Sequence, residues 1–137
     1  MSVSEVRILN QVNANSAELE RLPVLLIVED EVEVQQICAV MFSRLGWSVL
    51  TAKDAEEALE YLANNEVKAV FSDIRMPGEM DGLALVSHVK ANFPSVNVAL
   101  TSGYSNPFAE ENEEPVPFLM KPYMMSQLSE LSDKLLE

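Results

Sequence analysis

Five short apolar runs, most of them followed by a stretch in which apolar residues recur at three- and four-residue spacing, constrain this chain more than any other feature. The first run, Val24-Leu-Leu-Ile-Val28, has no polar interruption, as expected of a strand covered on both faces. Val34, Ile37, Cys38, Met41 and Leu45 then follow at helical spacing, and Gly46 reads as the helix stop. Trp47 to Ala52 reads as the second strand. Asp54 with Glu57 forms a capping box that opens a helix whose stripe is Ala55, Ala58, Leu59 and Leu62. Val67 to Phe71 is the third strand, and Leu83 to Lys90 the third helix, ended by Phe93-Pro94. Val96 to Leu100 and Phe118 to Met120 are the fourth and fifth strands. The closing helix sets Met124, Leu128, Leu131 and Leu135 on one face. Between Ser105 and Pro117, three prolines and four glutamates allow only a short helix. Strand and helix alternating in this way predict an α/β fold: a single-domain, doubly wound (βα)5 parallel sheet with right-handed crossovers. Residues 1–22, polar with a weak spacing at Val6, Leu9 and Val12, are expected to form a mobile or partly helical N-terminal extension outside a domain spanning 23–137.

Charge narrows the range of functions. Nine basic residues stand against 22 acidic ones, a formal net charge of −13. Nucleic-acid binding by a broad basic surface is therefore excluded, because phosphate contacts need clustered Lys and Arg. No apolar run near the N-terminus spans a bilayer or resembles a signal peptide, so a cytoplasmic protein without a membrane partner is expected. The single cysteine, Cys38, falls at an apolar helical position and reads as a buried structural thiol.

In open α/β sheets, ligands bind at the carboxyl ends of the strands. Glu29-Asp30-Glu31 follows the first strand, Ser72-Asp73 the third, Thr101-Ser102 the fourth and Lys121-Pro122 the fifth. Acids, a hydroxyl and an ammonium group thus converge on one edge. Crowded carboxylates repel one another, and a hard divalent cation relieves that repulsion. A carboxylate can also attack phosphorus, with Lys121 neutralising the transferring group and Thr101 donating to it. Taken singly, an acidic pair after a strand is a helix N-terminus complementing the dipole, and a Thr there is a turn residue. It is their appearance at four strand ends, in this order, that carries the reading.

The segments Leu26-Ile-Val-Glu-Asp-Glu31, Ser72-Asp-Ile-Arg-Met-Pro77, Met80-Asp-Gly-Leu83, Leu100-Thr-Ser-Gly103 and Phe118-Leu-Met-Lys-Pro122 resemble the receiver domains of two-component response regulators. The resemblance implies a flavodoxin-like sheet of order 2-1-3-4-5. A receiver protein is among the standing examples of that order. It further implies Asp73 as phosphoacceptor; Glu29, Asp30, Asp73 and the backbone carbonyl of Arg75 as ligands of Mg2+, or of Mn2+ in its place; Thr101 and Phe118 as switch residues; and Lys121 as the phosphoryl-binding lysine, with a cis bond to Pro122. The expected donor is a histidine kinase or a histidine phosphotransfer protein. With no output domain after Glu137, a stand-alone regulator is expected, signalling to a protein partner through residues 105–137. It would catalyse only its own phosphorylation and dephosphorylation. One departure from the family's Met-Pro-x-Met-Asp-Gly loop stands out: Gly78-Glu79 add one residue.

Two other readings use the same residues. A receiver fold that works as a phosphorylation-independent interaction module would not need the Asp30, Asp73, Thr101 and Lys121 set. An aspartyl-nucleophile phosphatase of the haloacid dehalogenase type wants a second Asp two positions after the nucleophile, where Arg75 stands here. His88, the only histidine, reads as an ordinary helical imidazole, and at least one of Met124 and Met125 as core.

Overall fold

The computed structural model describes residues 21–112 and 114–137; the expected N-terminal extension lies almost wholly outside them. Five parallel strands, β1 (Val24–Val28), β2 (Ser48–Ala52), β3 (Ala69–Asp73), β4 (Asn97–Ser102) and β5 (Phe118–Met120), form one sheet in the order β2-β1-β3-β4-β5. Among the described residues, four helices accompany them: α1 (Val32–Arg44), α2 (Ala55–Asn64), α3 (Gly82–Asn92) and α4 (Met125–Leu136). The flavodoxin-like order is as expected.

Alternation along each strand builds two cores. Leu26 and Val28 of β1 face the layer with α2 and α3, where Ala58, Leu62, Leu85 and Val89 are buried. Leu25 and Ile27 face the other layer, with Phe42 of α1 and Leu128, Leu131 and Leu135 of α4. Because both faces are covered, β1 carries no polar residue. Trp47 is buried in the second core, and its indole N–H donates to the Ser132 hydroxyl at 2.7 Å, tying the entry of β2 to α4.

Four expectations need correction. The buried face of α1 is Cys38, Ala39, Phe42 and Ser43, whereas Ile37 is 62% exposed. This helix is apolar nearly all round, so periodicity alone does not single out the inner face. Strand β3 begins and ends two residues late, and β4 runs on to Ser102, because the polar residues of the site remain in the hydrogen-bonded ladder. Both Met124 and Met125 are exposed; Met124 is the N-cap of α4 and not part of its inner stripe. Finally, the described residues between Ser102 and Phe118 contain turns and no helix. The Asn106 side chain accepts from the Phe108 N–H at 2.8 Å, an Asx turn, and the prolines at 107, 115 and 117 prevent helix continuation. Among the described residues, the connection from β4 to β5 is thus the one crossover without a helix.

The Asp54 box is present in a shifted form. Asp54 accepts from the Glu57 N–H at 2.9 Å, while the Glu57 carboxylate takes the N–H of Lys53, one residue ahead of the cap.

Candidate phosphoacceptor site

The sheet register assembles the site. Val28 pairs with Ser72, so the next residues, Glu29 and Asp73, leave β1 and β3 side by side; Asp73 in turn pairs with Thr101 of β4. The Glu29 backbone is held from the other side. Its N–H donates to the Ala52 carbonyl at 2.9 Å, and the Gln35 amide donates to the carbonyls of Glu29 and Ala52 at 3.0 and 3.2 Å.

Lys121 enters from the end of β5. Its N–H donates to the Ser102 carbonyl at 2.9 Å, and the bond to Pro122 is cis, as the resemblance implied. Its ammonium group donates closely to the Glu29 carboxylate and, at 3.0 Å, to Asp73 Oδ2. One carboxylate oxygen each from Glu29, Asp30 and Asp73 lies within 4.8 Å of the others. Asp30 is exposed, whereas Glu29 and Asp73 are buried, 3% and 7% exposed. Burial, together with the charge of Asp73, pushes the Glu29 carboxyl above its ordinary value against the pull of Lys121. Burial opposes the Lys121 charge too, yet its hydrogen bonds to the two acids carry it above the ordinary lysine value.

The Thr101 hydroxyl is buried beside Asp73 and has no hydrogen-bond partner among the described residues. A buried hydroxyl without a partner carries a desolvation cost that an incoming acceptor would remove. Phe118 stands one strand further out, half-buried, with its ring edge-on to Phe108 at a centroid distance of 6.3 Å. Arg75 lies two residues past Asp73; its guanidinium stacks over the exposed Tyr104 ring, 4.0 Å from the centroid.

Gly82 contributes through the close approach of its backbone to that of Asp73. Its N–H donates to the Ile74 carbonyl at 2.8 Å, and a Cβ there would lie 2.1 Å from the Asp73 carbonyl oxygen. Only glycine lets the start of α3 approach the backbone of Asp73 so closely. Ser72 also supports this turn, donating from its hydroxyl to the Asp73 carbonyl at 2.8 Å.

The response regulator receiver domain family matches residues 25–132. The chain belongs to that family. Among relatives of this receiver domain, the nitrogen assimilation regulatory protein NtrX of Azorhizobium caulinodans is 32% identical over 117 residues, covering 82% of this chain and 26% of the relative. The chain thus spans about a quarter of that relative's length. The solved receiver domain of NtrX from Brucella abortus is 30% identical, covers 82% of this chain and 97% of its own, and superposes with a TM-score of 0.73. The receiver domain of the hybrid histidine kinase CckA is 31% identical, with 83% and 99% coverage and a TM-score of 0.67. This is therefore a receiver domain of two-component signalling with an acidic pocket at the carboxyl edge of its sheet. Among the described residues, no helix is long and apolar enough to cross a membrane.

The pocket also fits the cation that the family implies. Its donors are all carboxylate oxygens, the preference of a hard divalent ion such as Mg2+, and three like charges gathered within 4.8 Å gain from one.

Proposed function

We propose that this receiver accepts a phosphoryl group on Asp73 from a phosphohistidine of a histidine kinase or a histidine phosphotransfer protein, and that the modification switches a protein-binding surface within residues 105–137. The carrying observation is the convergence on Asp73: an ammonium group at 3.0 Å, two further carboxylates, and a buried hydroxyl with no partner. On this reading the working domain is residues 23–137. It acts in the cytoplasm with proteins as partners, in keeping with a net charge of −13.

An Asp73 carboxylate oxygen attacks phosphorus, forming an O–P bond as the P–N bond of phosphohistidine breaks and its electron pair returns to the imidazole. Glu29, Asp30, Asp73 and the Arg75 carbonyl would hold Mg2+, or Mn2+ in its place. When bound, the ion neutralises charge on the phosphoryl oxygens. Lys121 is already bonded to Asp73 and supplies the second positive charge. The Thr101 hydroxyl donates to a phosphoryl oxygen, gaining the partner it lacks, and Phe118 turns into the space that Thr101 leaves. Phosphorylation biases a two-state equilibrium by its differential affinity for the two arrangements. Hydrolysis of the acyl phosphate resets it, so the domain catalyses only its own modification and release.

Incubation with acetyl phosphate and Mg2+, followed by intact mass, tests the assignment. The wild type gains one phosphoryl mass and Asp73→Asn gains none, since the amide is near-isosteric but a poor nucleophile. Undiminished base-labile labelling of Asp73→Asn removes Asp73 from its role.

A further inference from the structure

Strand β5 lies at the edge of the sheet, and its register fixes which main-chain groups look outward. The Leu100 N–H donates to the Pro117 carbonyl and the Lys121 N–H to the Ser102 carbonyl, both at 2.9 Å. Positions 117, 119 and 121 thus serve β4, and the N–H and carbonyl groups of Phe118 and Met120 point away from the sheet. An unpaired strand edge is a template for another strand unless something blunts it. The usual cover would include a helix between β4 and β5, and here the described part of that connection has only turns. Among the described residues, what blunts the edge is one side chain: the Glu114 carboxylate accepts the outward Phe118 N–H at 3.1 Å. The Met120 N–H has no acceptor among the described residues, and its side chain is 40% exposed on the face it shares with Phe118. Tyr104, 70% exposed, follows the neighbouring strand.

We infer that the outer edge of β5 is a docking site for an extended segment of a partner protein that pairs with Phe118 and Met120 as a sixth strand and carries Lys or Arg beside its apolar residues. Charge decides the occupant. Glu110, Glu111 and Glu114 are exposed along the connection that leads to this edge. A second copy of the chain would bring two such acidic margins together, which like-charge repulsion disfavours, whereas a basic strand complements them. Backbone pairing supplies the affinity, and the exposed Met120 face favours apolar residues at alternate positions. Glu114 is the built-in competitor, displaced when the partner offers a carbonyl to Phe118. The inference deepens the output-surface reading above and rests on it for regulation: inward rotation of Phe118 shifts the residue whose N–H Glu114 holds.

The test uses the full chain, amide NMR and a blocked Lys-Val-Lys-Val-Lys-Val-Lys peptide, with an analogue N-methylated along its backbone that keeps the charge and loses the donors. The plain peptide is expected to shift the amides of Phe118 and Met120, and the methylated one to leave them in place. Glu114→Ala removes the competitor and is expected to tighten binding on the order of two- to tenfold, the worth of one hydrogen bond. Simple charge attraction predicts the reverse, weaker binding in Glu114→Ala and equal binding of both peptides, and that outcome overturns the proposal. So does concentration-dependent self-association through the same amides without peptide, which assigns the edge to a second copy. Adding beryllofluoride and Mg2+ separates the two levels. Peptide binding that is equal with and without them upholds the edge site and sinks the switch. Perturbation of residues 105–120 by beryllofluoride, with no peptide binding, does the opposite.

Discussion

Two crossovers of the same sheet are built on different principles. The path from β3 to β4 is locked at its start and along its length: Asp81 caps α3 by accepting from the Ala84 N–H at 2.9 Å, Gly82 rests on the Asp73 backbone, and Leu85, Val86 and Val89 fill the core. Among its described residues, the path from β4 to β5 has an Asx turn, one buried residue (Val116) and a half-buried Phe108 against Phe118. Rigid packing holds Asp73 in place, where the proposed phosphoryl transfer needs fixed geometry. The other crossover has few buried apolar contacts and little backbone hydrogen bonding, so it lies at the low-stability end of the molecule and opens at small cost. The difference teaches where a switch can live: beside the rigid site, on the segment that costs least to rearrange.

Two aromatic pairs sharpen the contrast. Phe71 meets Phe42 edge-on at 5.6 Å within the core, while Phe108 meets Phe118 at 6.3 Å near the surface. Phe71→Ala is expected to cost about 3–5 kcal/mol in denaturant unfolding. Phe108→Ala should cost about 1 kcal/mol or less. Equal losses would erase the distinction between the sheet's core and the β4–β5 connection.

The next largest effect is at the seam between α3 and Asp73. Gly82→Ala must push the helix start off a carbonyl that its Cβ would approach to 2.1 Å, at about 2–4 kcal/mol, with slower phosphorylation of Asp73. A loss below about 1 kcal/mol, within the range of an ordinary surface change, would mean that the seam yields as easily as the β4–β5 turns.

Asp30→Asn probes the rim of the rigid site. Removing one charge from the acidic group relieves repulsion, so thermal unfolding without metal should move upward. Mg2+ affinity should fall by more than the roughly tenfold that outer-shell changes cost. Unchanged Mg2+ binding by calorimetry would take Asp30 out of the site.

The smallest expected effect concerns the tie between α1 and the segment after β5. Tyr123 and Cys38 share a hydrogen bond, and burial pushes the Cys38 thiol from 9.0 up to about 12. The folded state therefore keeps its proton longer than the unfolded chain does. The associated stability is complete below pH 9 and is lost as pH rises toward 12, with a limiting slope of about 1.4 kcal/mol per pH unit. Cys38→Ala should flatten that alkaline limb; an unaltered slope would assign it to Tyr123, whose hydroxyl burial also raises.

The strand ends were legible because topology alone brings Glu29, Asp30, Asp73, Thr101 and Lys121 to one edge, whatever their rotamers. The bounds of β1 and β5 were legible too, since Val24–Val28 and Phe118–Met120 are apolar runs bordered by polar residues or proline. What escaped depends on pairwise fit. Val32, Ile37 and Val40 are as apolar as Phe42, and only the position of the sheet decides which of them is buried. The role of Gly82 depends on a backbone from another element, and that of Gln35 on two carbonyls that a sequence does not bring together.

The place of Trp47 has a practical consequence. It is the only tryptophan, 1% exposed, and it precedes β2 at the end of the sheet opposite the acids. A strand of five residues separates the two ends by about 17 Å. Its emission should be blue-shifted, hard to quench with iodide, and unmoved by metal or phosphoryl occupancy, so it reports the loss of the whole fold. Tyrosine-selective or nuclear probes at Tyr104 would have to watch the working edge, leaving the indole as an internal standard that darkens or brightens only when α4 comes away from the sheet.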